Sequence, residues 1–391
     1  MTALSDLRVF SPIIGNGDFL EDVTRRWWPS YKRTSLALGG DFAASATFSA
    51  SDQVLEDWLD NRLAGHVVES YAGQVAFNGF INTIRLSYNG LVLVRTLDTV
   101  FNNVAVYYTP GTGEPTALTS FNSDSSSVAS WGTKDLIYRA TRNMSQASAE
   151  ALRDKILDEQ KEPKIITVDV ADWDPTQQGV CQVEILGYAH SLDWQHLSVA
   201  PAVAATDDAD DEIADALSGA DFVTAGTIDT NTLQIRQELD YRPAWQRIKE
   251  ITAEGDTSGN RWIAGCYAGR TLNYNQANTS SIAYFFSVKD RRASGRRRMY
   301  DAGNNWVPDP LVVPGQVALV RDILAGRPRA STLLDDPRAL FIESVEYSAQ
   351  GLKLKGANQQ IMRLAGLEMA ATNIMGAVGK FSSLGSRAGR K

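Results

Sequence analysis

The sequence predicts an α+β chain, mainly β, with two sheet-plus-helix units, a small α/β insertion and a C-terminal helix. Three observations predict it. Alternating apolar runs recur along most of the chain, only a few segments carry apolar residues at helical spacing, and Gly-rich or Asn-Gly turns punctuate the alternation. With 391 residues, 43% of them hydrophobic, the chain can fill two or three packed cores.

The elements follow in order. Residues 36–48, LALGGDFAASATF, read as a strand around a Gly39-Gly40 break. SDQVLEDWLDNRLAG sets Val54, Leu55, Trp58, Leu59 and Leu63 on one face, which predicts a helix over 51–64 with Ser51 as N-cap and Gly65 as its stop. QVAFNGFINTIRLSY and LVLVRTL flank Asn89-Gly90, a pair that accepts positive φ at both central positions and so predicts a tight hairpin with one buried face. Residues 109–130, rich in Gly, Pro, Ser and Thr, read as a long loop or arm. A helix follows at about 146–161, closed by Pro163, and KIITVDV and VCQVEILGY then look like paired strands.

Between 200 and 222 the chain turns acidic. Asp207, Asp208, Asp210, Asp211, Glu212, Asp215 and Asp221 face no Lys or Arg, and the run reads as a short solvated helix with carboxylates at its favoured end. PAWQRIKEITAEG predicts a second helix with Trp245, Ile248 and Ile251 in a stripe, and RWIAGCYA with RTLNYN predicts a hairpin across Ala268-Gly269. AYFFSV, QVALVRD, ALFIESVEYSA and LKLKG read as the last strands. Beyond them Ile361, Leu364, Leu367, Ala371, Ile374 and Val378 recur at helical spacing before a GSRAGRK tail.

Composition narrows the chemistry. The formal charge is −8 with a pI near 5.1, a poor balance for wrapping nucleic acid. No apolar run reaches the length that spans a bilayer, and Asp6 and Arg8 interrupt what would be a signal peptide's apolar region. Two cysteines (Cys181, Cys266) and three histidines (His66, His190, His196) argue against a zinc site, a disulfide scaffold or most histidine-based catalysis. Both cysteines sit within apolar alternation and read as buried thiols.

Motif by motif, the familiar sites fail. GTGEPT at 111–116 and GAVGKF at 376–381 lack the spacing of a phosphate-binding loop. GDTSG at 255–259 centres Thr257, not Ser258, so it is not a nucleophile elbow. His190 and His196 would lie about 20 Å apart on a strand and read as half-exposed residues flanking Trp194. Counted from Asp208, the sixth and twelfth positions of a calcium loop would be Ile213 and Gly219, which do not fit. No catalytic residue, cofactor or metal is expected.

Charge is instead sorted along the chain. KDRRASGRRR at 289–298 carries Lys289, Arg291, Arg292, Arg296, Arg297 and Arg298 against Asp290 alone. It reads as a hairpin loop at a protein interface, meeting acidic patches such as 207–212 on a neighbour, with phosphate contact as the alternative. Residues 347–391 hold seven Lys or Arg and one Glu. The stripe of Ile361, Leu364, Leu367, Ile374 and Met375, with Met362 and Met369 beside it, predicts an adaptable helix that either meets a partner or docks on its own domain.

Three stretches carry a family resemblance. DQVLEDWLDNRLAGHVVESYAGQVAFNGFINTIRLSYNGLVLVRTLDTVFNNVAVYYT resembles the first barrel of siphophage tail hub (baseplate hub) proteins, where an acidic Trp helix precedes a strand pair ending in an Arg-Thr-Leu-Asp strand. ELDYRPAWQRIKEITAEGDTSGNRWIAGCYAGRTLNY is similar to the hub segment in which a helix precedes a Gly turn and an aromatic hairpin. VVPGQVALVRDIL and FIESVEYSAQGLKL resemble the closing strands of the second barrel. Together they cover most of residues 36–356.

The resemblance implies two tail-tube-like β-barrels, each with a packed helix. It places the first barrel at 1–110, with its helix at 51–64. A long loop, a helix and strands of the second barrel occupy 111–200, the α/β insertion 201–275 and the closing strands 276–356. Residues 357–391 are then the C-terminal helix and basic tail. It also implies a structural, non-enzymatic role at the distal end of a virion tail, assembled in the host cytoplasm. The implied partners are further copies of the chain in a ring, a trimer first, with a tail tube or distal tail protein above. A spike, fibre or receptor-binding protein lies below, DNA passes without specific binding, and no membrane is involved. A net acidic bore fits that passage, because carboxylates repel phosphates. The alternatives are a distal tail protein forming a hexameric ring, a tail-borne glycan hydrolase, or a carbohydrate-binding adhesin using some of the nine Trp and thirteen Tyr.

Overall fold

A computed structural model describes residues 5–12, 17–88, 90–170, 179–196, 206–236, 242–278, 281–291, 297–321 and 338–357. The first unit comprises β1 (Asp6–Phe10), β2 (Phe19–Asp22), α1 (Thr24–Trp27), β3 (Lys32–Leu36), β4 (Gly39–Ser49), α2 (Asp52–Asn61), β5 (His66–Tyr71), β6 (Gln74–Tyr88) and β7 (Leu91–Thr96). The predicted helix is α2, with Leu55, Trp58 and Leu59 buried. Ser51 stands at its N-cap position without a side-chain capping bond. The left-handed residue that turns the chain after it is Ala64, at φ 61°, not Gly65. Trp58 anchors the core, with Phe48 edge-on at 5.1 Å and Trp27 tilted at 5.5 Å between ring centres. Tyr88 pairs with Leu91 across the predicted two-residue turn, and Gly90 holds φ 76° there.

The region read as a loop is structured. β8 (Asn103–Thr109), β9 (Ala117–Leu118), β10 (Asn122–Ser123) and β11 (Asp135–Asn143) form their own sheet, flanked by α3 (Ser125–Trp131) and α4 (Gln146–Gln160). Asp124 caps α3 by accepting from the Ser126 and Ser127 amides. That composition favours turns, yet Thr119 and Asn102 turn it into order. Thr119 Oγ accepts from the Val106 amide, and the Asn102 side chain bridges Ser127, Gly132 and Lys134.

The chain then returns through β12 (Ile165–Val170) and β13 (Val180–Gly187). These two are not partners of each other. β12 pairs with β7, and β13 lies between β4 and β6. Next come β14 (Thr206–Asp208), α5 (Ala209–Leu217), β15 (Thr224–Ile228), β16 (Gln234–Arg236), α6 (Ala244–Glu254), β17 (Trp262–Cys266) and β18 (Thr271–Gln276). α5 is less solvated than its charge predicts, because Ile213 and Leu217 pack inward beside Trp245, Ile248 and Ile251 of α6. The closing part holds β19 (Tyr284–Arg291), β20 (Arg297–Asp301), β21 (Trp306–Val307), β22 (Val317–Arg321), β23 (Ala339–Ser348) and β24 (Gly351–Ala357).

Most strands join one branched sheet. Its spine runs β2–β1–β5–β6–β13–β4–β3–β23–β24, with β12–β7, β15–β18–β17 and β21–β20–β19–β22 as side branches. The architecture is mainly β with packed helices, as predicted. No closed barrel is found among the described residues, so the two-barrel expectation lacks support here. β17 reaches the spine because glycines meet. A Cβ on Gly40, itself at φ +76°, would lie 2.1 Å from the Cys266 carbonyl oxygen.

Candidate interaction surfaces

The outer ribbon of β6, β7 and β12 carries the clearest surface. α4 ends at Gln160 and the chain resumes as β12, whose residues pair from Ile165↔Arg95 to Val170↔Leu91 with a register shift between Thr167 and Asp169. Every residue of β12 is exposed. Ile165, Ile166, Val168 and Val170 are 46%, 43%, 50% and 69% exposed, although each is a strand-forming aliphatic suited to burial. The edge of β12 away from β7 has no strand partner among the described residues. Asp169 is the one charged residue within β12, and Pro163 and Lys164 stand just before it; the aliphatic remainder of this open edge is a template for another chain. A smaller surface of the same kind lies at β2, where Phe19 is 56% exposed and stacks edge-on with Phe10 at 5.8 Å.

The described part of the predicted Arg cluster lies on β19 and β20. Arg291 ends β19, Arg297 and Arg298 open β20, and Arg291 pairs with Arg297 in register. Arg298 is exposed. Arg292 and Arg296 lie outside the described residues, as do Ile361, Leu364, Leu367, Ile374 and Met375. The acidic patch is partly engaged within the chain. Glu212 is buried and receives Arg247 Nη2 at 2.9 Å, and Asp210 accepts from the Asn231 amide. Lost hydration and then the carboxylates of Asp210, Asp207, Asp208 and Asp215 raise the Asp211 pKa.

The histidines are structural in their surroundings. Burial lowers His66 to about 4, and its Nδ1 lies 2.7 Å from Tyr188 Oη. Burial also lowers His190, which packs on Phe42, and His196, whose Nδ1 is 3.9 Å from Asp135. Cys181 and Cys266 are buried free thiols, pushed up to about 12 by desolvation. Among the described residues no three His, Cys, Asp or Glu come together as a metal-binding group, and no helix is long and apolar enough to cross a membrane.

A buried polar junction escapes sequence reading altogether. Arg33 Nε lies 2.6 Å from Glu69 Oε2, with both side chains at 1% exposure or less. Tyr31 donates to the same carboxylate at 3.1 Å, while Arg33 also donates to Ser35 Oγ and to the Pro310 carbonyl. Ser35 in turn donates to Asp41, whose other oxygen accepts the Asn78 and Ala268 amides at 2.9 Å. Desolvation lifts Asp41 to about 6 against the pull of Arg33 and these donors. Pro310 and Ala268 belong to the later part of the chain, so the network ties it to the first unit. The available signal was inward alternation: Arg33 and Ser35 on β3, and Glu69 on β5, occupy the buried phase of their strands.

Lys134 is a second buried ion. It is 2% exposed, donates to the Leu97 carbonyl and lies 4.0 Å from the centre of the Trp194 ring. Desolvation lowers it to about 7. Beside it a cavity of about 20 Å³ is walled mainly by aromatic rings, among them Phe80, Trp131, Tyr188 and Phe222.

No protein-family model matches the sequence, and no curated protein matches it significantly. Solved structures with a similar course of chain include a tail protein from Neisseria meningitidis MC58, at 11% identity and TM-score 0.42, covering 90% of this chain and 97% of that one. The 43 kDa tail protein of prophage MuSo2 from Shewanella oneidensis has 7% identity and TM-score 0.42, over 90% and 95%. Prophage tail protein gp18 from Listeria monocytogenes EGD-e has 8% identity and TM-score 0.39, over 94% and 100%.

Proposed function

We propose that this chain is a structural component of a phage tail tip. In this reading it is a hub ring of three copies that joins the tail tube, or a distal tail protein, to a spike, fibre or receptor-binding protein. Viral DNA crosses its bore without specific binding. The sequence resemblance over residues 36–356 supports the family reading. The observation that carries assembly is β12, a strand of exposed aliphatics with a free edge. Such a strand is costly for a solitary soluble chain, and strand addition by a neighbour would bury it. In the ring the open sheet is completed between copies, while the Arg hairpin and the acidic α5 region supply charge complementarity at the contacts.

The test is the mass and symmetry of the assembled chain. Mass photometry of the intact protein, alone and with tail partners, is expected to show a trimer, and electron microscopy threefold symmetry. Sixfold symmetry would transfer the assignment to a distal tail protein. A monomer under every condition would overturn the ring. Lysis on a peptidoglycan zymogram would replace the structural role with a hydrolytic one.

A further inference from the structure

The spine of the sheet ends in two edges, β2 and β24, and β12 is the edge of a side branch. A head-to-tail ring needs two different surfaces on every copy that fit each other. β12 offers six residues, Ile165–Val170, all exposed. Its one charged side chain, Asp169, bonds only the neighbouring Val170 amide among the described residues. β24 offers seven residues, Gly351–Ala357, and pairs only with β23 among the described residues. Along it Leu352 and Leu354 alternate with Lys353 and Lys355, so the two kinds take opposite faces. The leucines line a cleft of about 310 Å³ with Phe286, Met299 and Leu340. The lysines are exposed and share their face with Glu346, which lies across from Lys353 in register and meets Lys355 at 2.5 Å. Two lysines beside one carboxylate leave a positive charge over on that face.

We propose that β12 of one copy adds as a strand to the edge of β24 on the next copy, with Asp169 against Lys353 and Lys355 and aliphatic side chains of β12 closing the cleft. This names the contact of the ring and rests on the ring reading. Length fits, since six residues against seven let the pairing run along the whole of β12. Charge fits as well, because Asp169 supplies the carboxylate that the lysine face of β24 lacks. The opposite end of the spine does not match. β2 has four residues, and its Glu21 and Asp22 would set carboxylates against Asp169. Alternation completes the match: with Asp169 on the lysine face, its neighbour Val170 turns to the cleft, and Val170 is the most exposed aliphatic of β12. Lysines on an edge deter indiscriminate strand addition, so β24 selects a strand that carries a carboxylate over one that is wholly apolar.

Cysteine cross-linking in the full chain tests the contact. Cys181 and Cys266 are buried, so Asp169→Cys in one chain and Lys353→Cys or Lys355→Cys in another can be mixed and oxidised against a quiet background. The expected product is a disulfide dimer of unlike chains, seen by mass. In parallel, Asp169→Lys is expected to weaken association about tenfold or more, and Lys353→Glu with Lys355→Glu in the same chain to restore it. Every substituted side chain is exposed, and a urea unfolding curve for each variant verifies that it folds. The inference is overturned if the trimer forms and no unlike pair closes, if only like-with-like disulfides appear, or if Asp169→Lys leaves association unchanged. In each of those cases a trimer in mass photometry keeps the ring standing without this contact. A monomer under every condition overturns the ring and this contact with it, so the two failures are distinguishable.

Discussion

The junction around Arg33 and the outer strand β12 sit in the same sheet and treat unmatched chemistry in opposite ways. At the junction, charged groups are removed from water, and a partner meets each of them: Glu69 for Arg33, two backbone amides and Ser35 for Asp41. Along β12, aliphatic side chains are left in water and a strand edge is left unpaired among the described residues. Burying charge is costly and is tolerated where it fixes which segments meet. Exposing aliphatic edge is costly too, and is tolerated where another surface covers it. The contrast teaches that the junction's groups hold this chain together, whereas β12 contributes little to it and is the edge on which assembly is proposed.

The largest effect should come from breaking the junction. Arg33→Met leaves Glu69 buried without its cation and should cost about 3–5 kcal/mol, measured by urea unfolding. A loss below about 1 kcal/mol would mean that the pair behaves as a solvated one. Gly40→Ala comes next. A methyl group there meets the Cys266 carbonyl from a left-handed backbone, so a loss of about 1–3 kcal/mol is expected, with faster amide exchange at the β4–β17 contact.

Titration sharpens the same side of the comparison. Folding raises Asp41 from 3.8 to about 6, so the folded chain holds that proton more tightly than the unfolded one. This contribution favours folding below pH 3.8 and is lost as pH rises through about 6. His66 has the opposite slope, since its lowered pKa removes stability as pH falls from 6.5 towards 4. The comparison is therefore between variants: Asp41→Asn should gain stability relative to the native chain on going from pH 4 to pH 7. Lys134, lowered from 10.5 to about 7, favours the unfolded state wherever it must carry charge. Its contribution improves as pH rises from about 7 to 10.5, and Lys134→Met should flatten that rise in alkaline unfolding curves.

The smallest change in stability, and the most telling for assembly, belongs to β12. Val168→Lys with Val170→Lys removes exposed aliphatics, so the monomer's stability should move by no more than about 0.5 kcal/mol. Association should nevertheless fall steeply in mass photometry. If the double variant assembles like the native chain, β12 is not an assembly edge.

Much of the fold was legible because it is local. The stripe of Leu55, Trp58 and Leu59 gives α2, Asn89-Gly90 gives the β6–β7 turn, and Trp245, Ile248 and Ile251 give α6. The ordered 109–130 stretch was not legible, because turn-forming composition does not reveal that Asn102 and Thr119 will tie it to β8 and α3. Nor was the true partner of KIITVDV, since alternation marks a strand and is silent about its neighbour. The ribbon on which assembly is proposed was therefore seen as a strand and missed as a surface.

By itself, the sequence determined many of the strand and helix segments, α2, α4 and α6 among them, together with the mainly β class and the sorting of charge, all set by periodicity and residue type over short windows. Tertiary structure alone decided that Arg33, Glu69 and Asp41 share one buried junction, that β12 lies outermost, and that the strands join as an open branched sheet. The reason is physical. Burial and strand pairing are contacts between segments tens to hundreds of residues apart, and a pattern that repeats every second residue carries no record of them.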